Sequence, residues 1–254
     1  MRVLRKLTRG SAVLIVGGLV ALWWATARDS IIFPTPADVV LGFVELVRAG
    51  TLLEHVTASL YRVTVGYGMA LALAIPLGSA MGWFPAINQA VNPVVQLLRP
   101  ISPIAWIPIA ILWFGISDMA PIFLIFLSSF FPIVVATAAG VSLVEREYIR
   151  AAQNFGSHGL TLYRDAIFPA ALPNIITGMR VGLGIAWLVV VAAEMVAITS
   201  GLGYLIIDSR NAGTRYDLVV AGMVIIGIIG FLLDVVMRRL ERLDLVRWRY
   251  AGSR

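Results

Sequence analysis

Two charged residues, Arg180 and Glu194, lie inside stretches of sequence that are otherwise apolar. A charge within an apolar helix that crosses a membrane is costly, so such residues are candidates for contact with an ion or a substrate. The two are fourteen residues apart, which is about 21 Å along a helix, so they cannot pair within one helix. Arg180 can bind an anion on a transport pathway or extend its head to the membrane surface. Glu194 can pair with an arginine elsewhere, such as Arg210, act at a gate, or carry a proton.

Two tryptophans, Trp106 and Trp187, lie in apolar stretches of the same kind. They are candidates for the lining of a pathway or for a gate. The alternative is ordinary packing, because aromatic side chains at helical spacing are common in any membrane-spanning helix.

Other kinds of site chemistry are absent from the sequence or weak in it. The sequence has no cysteine, which excludes disulfides and thiolate metal sites. His55 and His158 are about a hundred positions apart, and no metal site is expected. No G-x-x-x-x-G-K-[ST] loop is present, so we expect no ATP binding by a P-loop and no cofactor in this chain. If ATP drives the protein, another polypeptide must bind the ATP and its Mg²⁺.

The composition indicates a polytopic membrane protein. The chain is 59% hydrophobic and 13% charged, with a mean hydropathy of +0.90. A soluble protein carries about 25% charged residues. We expect one transmembrane domain over residues 1–254, all α-helical. The net charge of +6 does not indicate nucleic-acid binding, because no basic face is interleaved with aromatic residues.

Six membrane spans are predicted from the apolar runs. The first, at about 11–27, follows a basic amino terminus; it is a retained span anchored by Trp23 and Trp24 or a signal peptide that ends at Ala27. Residues 34–50 predict an amphipathic helix on the outer surface, capped by Thr35. The five-span core occupies 59–238 and a basic cytoplasmic tail 239–254. The five core spans are expected at 59–82, 100–114, 120–144, 173–198 and 218–237, with a short turn containing Pro85, Asn88 and Asn92 between the first two of these.

The distribution of basic residues predicts the orientation of these spans. Fourteen Lys and Arg residues fall in segments assigned to the cytoplasm. Five are counted with the outside: Arg28, Arg48, Arg210 and Arg215 in outer segments, and Arg62 at the outer end of the span 59–82. Because positive charge holds loops in the cytoplasm, both termini are predicted to be cytoplasmic. The long polar stretch at 145–169, here called the coupling loop, is then cytoplasmic too.

The coupling loop predicts two short helices joined by a turn, because Gly156 and Gly159 interrupt it. It resembles the cytoplasmic loop of binding-protein-dependent ABC importer permeases, which reads Glu-Ala-Ala, three residues, Gly, nine residues, Ile, one residue, Leu-Pro. The matching residues are Ala151, Ala152, Gly156 and Pro169. Three positions depart from this pattern: Arg150 replaces Glu, Ala166 replaces Ile and Phe168 replaces Leu.

Two longer runs strengthen the resemblance. Arg99–Asp118 and Phe168–Met195 are similar to the nitrate, sulfonate, taurine and bicarbonate branch of that family. The resemblance implies a type I (MetI-like) permease bundle in the bacterial inner membrane, with no enzymatic activity of its own. It implies as partners ABC ATPase subunits, an external substrate-binding protein and a second permease copy, and as cargo a small anion. The residues implied to contact the ATPase are Glu147, Arg150, Ala151, Ala152, Phe155, Gly156 and Pro169.

Two other functions remain open at this point. A secondary transporter driven by an ion gradient would carry more acidic residues in its spans and an inverted repeat, and the sequence shows neither. A membrane scaffold without a pathway would fail to move substrate in the presence of all partners.

Overall fold

The computed structural model describes residues 2–28, 30, 33–211 and 213–241, and every regular element in them is helical. A 3₁₀ turn at Pro103–Trp106 and a π-helical turn at Tyr163–Ile167 interrupt the α-helices. The α-helices are α1 Arg2–Ala27, α2 Pro36–Arg48, α3 Thr51–Trp83, α4 Pro85–Leu98, α5 Ile107–Phe114, α6 Met119–Ser142, α7 Arg146–Asn154, α8 Gly159–Leu162, α9 Phe168–Ala197, α10 Leu202–Asn211 and α11 Tyr216–Leu240.

Four helical stretches in the described residues are long and apolar enough to cross a membrane: α3, α6, α11 and the stretch Gly159–Val196 that contains α8 and α9. The pair Pro85–Leu98 and Pro103–Phe114 passes the same test together but is bent by 84°. In α1 the apolar part is the shorter Gly17–Ala27. The all-helical membrane fold is therefore confirmed, whereas the count of six spans remains a prediction. Most of the expected basic tail lies outside the described residues.

The third expected span differs from the prediction. A short turn was expected between the second and third spans, but residues 85–98 form the helix α4. The break comes later, between Leu98 and Pro103, where Pro100 and Pro103 disfavour helical backbone in the residues before them. Pro108 is tolerated because it lies in the first turn of α5. The second span is also longer than expected, since α3 begins at Thr51.

The helices α3, α6 and α9 form the centre of the bundle. Close approach is possible because α3 presents glycine to α6: a Cβ atom on Gly66, Gly78 or Gly82 would lie 2.6 Å from a backbone oxygen of α6. On the other side of α6, Gly182 of α9 allows α9 to pack closely on α6, because a Cβ atom there would meet Ile133 and the backbone oxygen of Ser129. Small residues at helix crossings are how membrane helices gain packing energy, because lipid offers no hydrophobic driving force.

The helix α2 begins with the Thr35 cap that the sequence indicates, and Asp38 completes it as a capping box. The Asp38 amide donates to Thr35 Oγ1 at 3.3 Å, and the Thr35 amide donates to Asp38 Oδ2 at 2.9 Å. The helix packs on the start of α11, and Arg215 Nη2 donates to Glu45 Oε2 at 2.6 Å. This hydrogen bond from Arg215 holds the pKa of Glu45 below its ordinary value.

Candidate functional site

The coupling loop forms two helices with a turn between them, as the glycines predict. Gly156 and Gly159 have φ values of +88° and +55°, a region that disfavours side chains with a Cβ atom. The second helix, α8, does not end at the expected loop boundary. It continues through the π-helical turn into α9, so the helical path starts at Gly159 and not near Pro173. Pro169 is in the first turn of α9 and is half-buried.

The helix α7 has an outward and an inward face. Its outward face consists of Glu147, Arg150, Ala151 and Asn154, which are exposed and recur at helical spacing. On the inward face, Ile149 and Ala152 pack against an apolar cluster at the start of α9. The structure thus separates the two alanines of the motif: Ala151 is presented to the surroundings, whereas Ala152 holds α7 on the bundle.

Large apolar side chains are also exposed around α7. Phe155 is 91% exposed, Leu160 is 80% exposed and Tyr148 is 51% exposed. An apolar patch of this kind on an otherwise polar segment is typical of a surface that binds another protein. Ala151 has a short side chain, so the surface of α7 is low between the longer charged side chains of Glu147 and Arg150.

A second candidate site is a buried charged cluster around Arg62, at the end of the bundle opposite the coupling loop. Arg62 is 2% exposed and Glu194 is 0% exposed. Arg62 Nη1 donates to Glu194 Oε1 at 2.7 Å, and Arg62 Nη2 donates to Asp118 Oδ1 at 2.7 Å. Arg62 also donates to the backbone and side chain of Ser200. This one guanidinium therefore connects α3, the turn before α6, the end of α9 and the loop that follows it.

Neutral groups complete the shell around Glu194. Ser59 Oγ donates to the carboxylate at 2.8 Å, and the Gly203 amide donates to Oε2 at 3.0 Å. The Leu202 amide in turn donates to Ser59 Oγ, and the Gly201 amide donates to His55 Nδ1. A buried carboxylate that accepts this many hydrogen bonds is held, together with its partners, in one geometry.

The Arg62 cluster changes two expectations from the sequence. Arg62 was counted with the outside charges, but it lies inside α3 and is buried. Glu194 pairs with Arg62 and not with Arg210, the partner suggested from the sequence. The missed signal was the apolar context of Arg62, with Leu60 and Tyr61 before it and Val63, Val65 and the close-packing Gly66 after it.

Arg180 is occupied by acidic residues of α11 and its end. Its Nε donates to Asp234 Oδ1 at 2.7 Å, and its Nη1 donates to Glu241 Oε1 at 3.2 Å. Asp234 also accepts from Arg238. Arg180 keeps 34% of its side chain exposed and borders a mostly apolar groove of about 430 Å³ between α9 and α11.

The two candidate tryptophans are in different surroundings. Trp187 is 6% exposed, and its Nε1 donates to the backbone oxygen of Ile226 at 3.1 Å. A Cβ atom on Gly230 would lie 2.9 Å from the Trp187 ring, so this residue joins α9 to α11 by close packing. Trp106 is half-buried against the apolar cluster of α5 and α6. Among the described residues there is no group of three acidic or histidine side chains able to hold a metal ion.

A membrane-spanning helical bundle with buried ion pairs and an exposed amphipathic helix has the features of a transport protein. Residues 73–243 match the family described as "Binding-protein-dependent transport system inner membrane component". The chain belongs to this family. It is the permease of an ABC transport system: a non-catalytic, membrane-spanning translocation subunit that works with ATPase and binding-protein partners, and the partner ATPase binds the ATP.

Individual relatives agree with this assignment. The taurine transport system permease protein TauC of Escherichia coli (strain K12) is 37% identical over 94% of this chain and 89% of its own length. A putative aliphatic sulfonates transport permease protein, SsuC, of Bacillus subtilis (strain 168) is 34% identical over 93% of this chain and 87% of its own length. A solved inward-facing structure of the MetNI methionine ABC transporter has a TM-score of 0.66 at 18% identity, covering 77% of this chain and 96% of the other. That structural similarity shows the fold.

Proposed function

We propose that this permease forms the pathway through which a small anion is imported, and that α7 of the coupling loop transmits ATP-driven movement to the spans. The observation that carries the proposal is the outward face of α7, where Ala151 lies exposed between Glu147 and Arg150, with Phe155 exposed at the end of the helix. Gly156 provides the turn, and Pro169 begins the helix that receives the movement.

A pull-down with the partner ATPase tests this assignment of the coupling surface. Ala151→Asp places a charge on the outward face without affecting the packed face of α7. We expect it to lose most of the co-purified ATPase. Gln153→Asp is the matched control, because Gln153 is exposed on the same helix but outside that face. Equal recovery of ATPase with both variants would exclude this face as the contact.

Arg150 in place of the family's glutamate reverses a charge on the coupling surface. We propose that Arg150 contacts a groove of the partner ATPase and that this groove carries acidic residues at the point where the ATPases of other family members receive a glutamate. Arg150→Glu is then expected to weaken ATPase binding, and a compensating acidic-to-basic change in the groove should restore it. Charge complementarity of this kind selects between partners more than it adds affinity.

The proposed substrate is a small anion of the taurine, sulfonate, nitrate or bicarbonate type. The taurine and aliphatic sulfonate permeases among the relatives support this class. Glu194 acts as part of an outer gate through Arg62, and Arg180 contacts the anion or closes the inner end. Trp106 and Trp187 line or support the pathway. A cognate binding protein that binds a cation or a sugar in calorimetry would contradict the anion assignment.

The proposed assembly is a homodimer of permeases in the inner membrane with both termini in the cytoplasm. An exposed stripe on α9, formed by Thr177, Val181, Gly184 and Leu188, is the surface offered to a second copy. The orientation is directly testable because the chain contains no cysteine. A single cysteine at Arg150 should react with a membrane-impermeant maleimide only in inverted vesicles, and one at Asp208 only in right-side-out cells.

A further inference from the structure

The span made of α4 and α5 is broken at residues 99–102. The helices on the two sides of this break are bent by 84° relative to each other. Every residue of the break is exposed. Lipid cannot satisfy the polar groups of irregular backbone, so such backbone at membrane depth is buried in protein or lines a water-filled cavity. The break is therefore a candidate for the wall of a pathway.

Contacts with α6 place the break within the membrane. Asn88 and Asn92 of α4 line a groove of about 350 Å³ together with Ser142, at the last turn of α6. Ile107 of α5 packs in an apolar cluster with Ala120, in the first turn of the same helix. Because α6 is long and apolar enough to cross a membrane, the residues that connect α4 to α5 lie between its two ends.

Arg99 gives this break a positive charge without a partner. No acidic side chain in the described part of the chain forms an ion pair with it. Arg62 and Arg180, on other spans, differ because each pairs with two carboxylates. An arginine at membrane depth is costly unless it meets water, an anion or a counter-charge. In the sequence Arg99 was counted with the cytoplasmic residues, so its position at the break was not predicted.

Three side-chain amides lie on the same face of α4 as Arg99. They belong to Asn88, Asn92 and Gln96, which recur at intervals of four residues and lead up to Arg99 three residues later. Among the residues that the structure describes, no hydrogen bond engages these amides. We call these three residues the amide stripe. It forms a line of N–H donors from the inner end of α6 to the break.

We propose that Arg99 binds the transported anion within the membrane and that the amide stripe conducts it to the cytoplasmic end of the bundle. This inference rests on the anion import proposed above. The guanidinium offers paired N–H donors that match two oxygens of a sulfonate, nitrate or bicarbonate. The amides donate hydrogen bonds without a charge, so they hold an anion loosely enough for it to leave.

A second copy of this chain is the alternative occupant of the space around Arg99. It would have to place a carboxylate there to compensate the charge. Beyond the first turns of the described spans α3, α6, α9 and α11, the acidic residues are Glu194 and Asp234. Both are already paired with arginine. A free anion therefore fits this position better than a side chain of the second copy.

Charge rescue at a single cysteine tests the proposal, because the chain contains no cysteine of its own. Proteoliposomes carry the permease, its ATPase and the binding protein, and uptake of labelled taurine, an alkyl sulfonate, nitrate and bicarbonate is measured. Arg99→Cys should slow uptake of the anion that wild type transports by about ten-fold, because hydrogen bonds from a charged group are lost. Aminoethyl methanethiosulfonate rebuilds a cationic side chain of similar length and should restore most of the uptake. Sulfonatoethyl methanethiosulfonate adds an anion and should not.

Leu97→Cys is the matched control for the direction in which Arg99 faces. Leu97 is two residues away, is 72% exposed and lies on the opposite side of α4. A thiol that faces lipid stays protonated and does not react, so only Arg99→Cys should be modified by the two reagents. The wild-type complex, treated with the same reagents, controls for cysteines of the partner subunits.

Two results would overturn the anion contact. One is uptake by Arg99→Cys that equals wild type or is restored equally by both reagents. The other is an Arg99→Cys thiol that does not react, because lipid or the second permease copy would then cover the position. If Arg99→Cys fails to fold, Gln96→Leu decides: loss of one donor of the amide stripe should slow uptake by about five-fold, and unchanged uptake would exclude the stripe. Wild-type uptake in the same preparation tests anion import itself, so the two failures are distinguishable.

Discussion

The buried pair of Arg62 and Glu194 makes the sharpest stability prediction for this protein. Removing Arg62 leaves the Glu194 carboxylate buried without its cation, which costs about 3 kcal/mol or more, whereas removing Glu194 leaves Arg62 still paired with Asp118. For a chain of this size, 1 kcal/mol shifts the thermal midpoint by about 2–4 °C. Arg62→Met should therefore lower the midpoint by roughly 6–12 °C. Glu194→Met should lower it by less, because Arg62 keeps its pair with Asp118.

The double variant tests whether the loss comes from the pair itself. Replacing both members of a buried ion pair with apolar side chains is often close to neutral. The variant carrying both substitutions should lose less than Arg62→Met alone, because it no longer buries an unpaired carboxylate. The assay is the thermal midpoint in detergent, followed by intrinsic tryptophan fluorescence. Losses that add in the double variant, or a loss below about 2 °C in Arg62→Met, would refute the coupling between Arg62 and Glu194. Arg180→Met is the control, since its pair with Asp234 is about one-third exposed and should cost less.

Three further predictions concern close packing and charge. Gly201→Ala should lower the thermal midpoint strongly, because Gly201 has a φ of +103° and a Cβ atom there would overlap the Glu194 carboxylate. Gly78→Ala should separate α3 from α6, because its Cβ would lie 2.6 Å from a backbone oxygen, and the thermal midpoint should fall. Acidification should release α2 from α11. The hydrogen bond from Arg215 lowers the pKa of Glu45 in the folded protein. The stability that this pair contributes is therefore fully present above the ordinary pKa of 4.5 and is lost as the pH falls through the lowered pKa. Hydrogen exchange of α2 as a function of pH measures this release.

A control variant for each of these three predictions separates the proposed cause from the alternatives. Gly50→Ala shares the positive φ of Gly201 but has open space around it, so it isolates backbone strain from overlap. Gly68→Ala lies on α3 with nothing near and should be neutral or stabilising. Glu45→Gln should make α2 protection insensitive to pH. If Gly201→Ala costs no more than Gly50→Ala, the overlap argument is wrong, and a persistent pH response in Glu45→Gln would assign the transition to Asp217.

Much of the fold could be predicted from local signals in the sequence. The helix cap at Thr35, the turn glycines Gly156 and Gly159 and the apolar runs each act over a few residues, so the sequence contains all of the relevant information. The helix start at Thr51 was missed because Glu54 and His55 interrupt the apolar pattern. The turn before the third span was predicted around Pro85–Asn92, whereas the helix breaks between Leu98 and Pro103. Prolines occur along the whole segment, so the sequence does not show which of them ends the helix.

The candidate sites were predictable only in part. The position of Glu194 in an apolar run indicated a buried charge, but its partner depends on which helices pack side by side. Arg62 is 132 positions away in sequence; its apolar context indicated a buried arginine, but nothing local identified it as the partner of Glu194. The same limit applies to Ala151 and Ala152, because the motif names both residues and only the packing of α7 decides which one faces outward.

Transport in proteoliposomes tests the central claim most directly. Vesicles containing this permease and its ATPase, with the binding protein on the outer side, are loaded with ATP and given labelled taurine, an alkyl sulfonate, nitrate or bicarbonate. The account predicts uptake of one of these anions that requires both ATP and the binding protein and is lost in Ala151→Asp. Uptake that proceeds without ATP and follows an imposed ion gradient would contradict it.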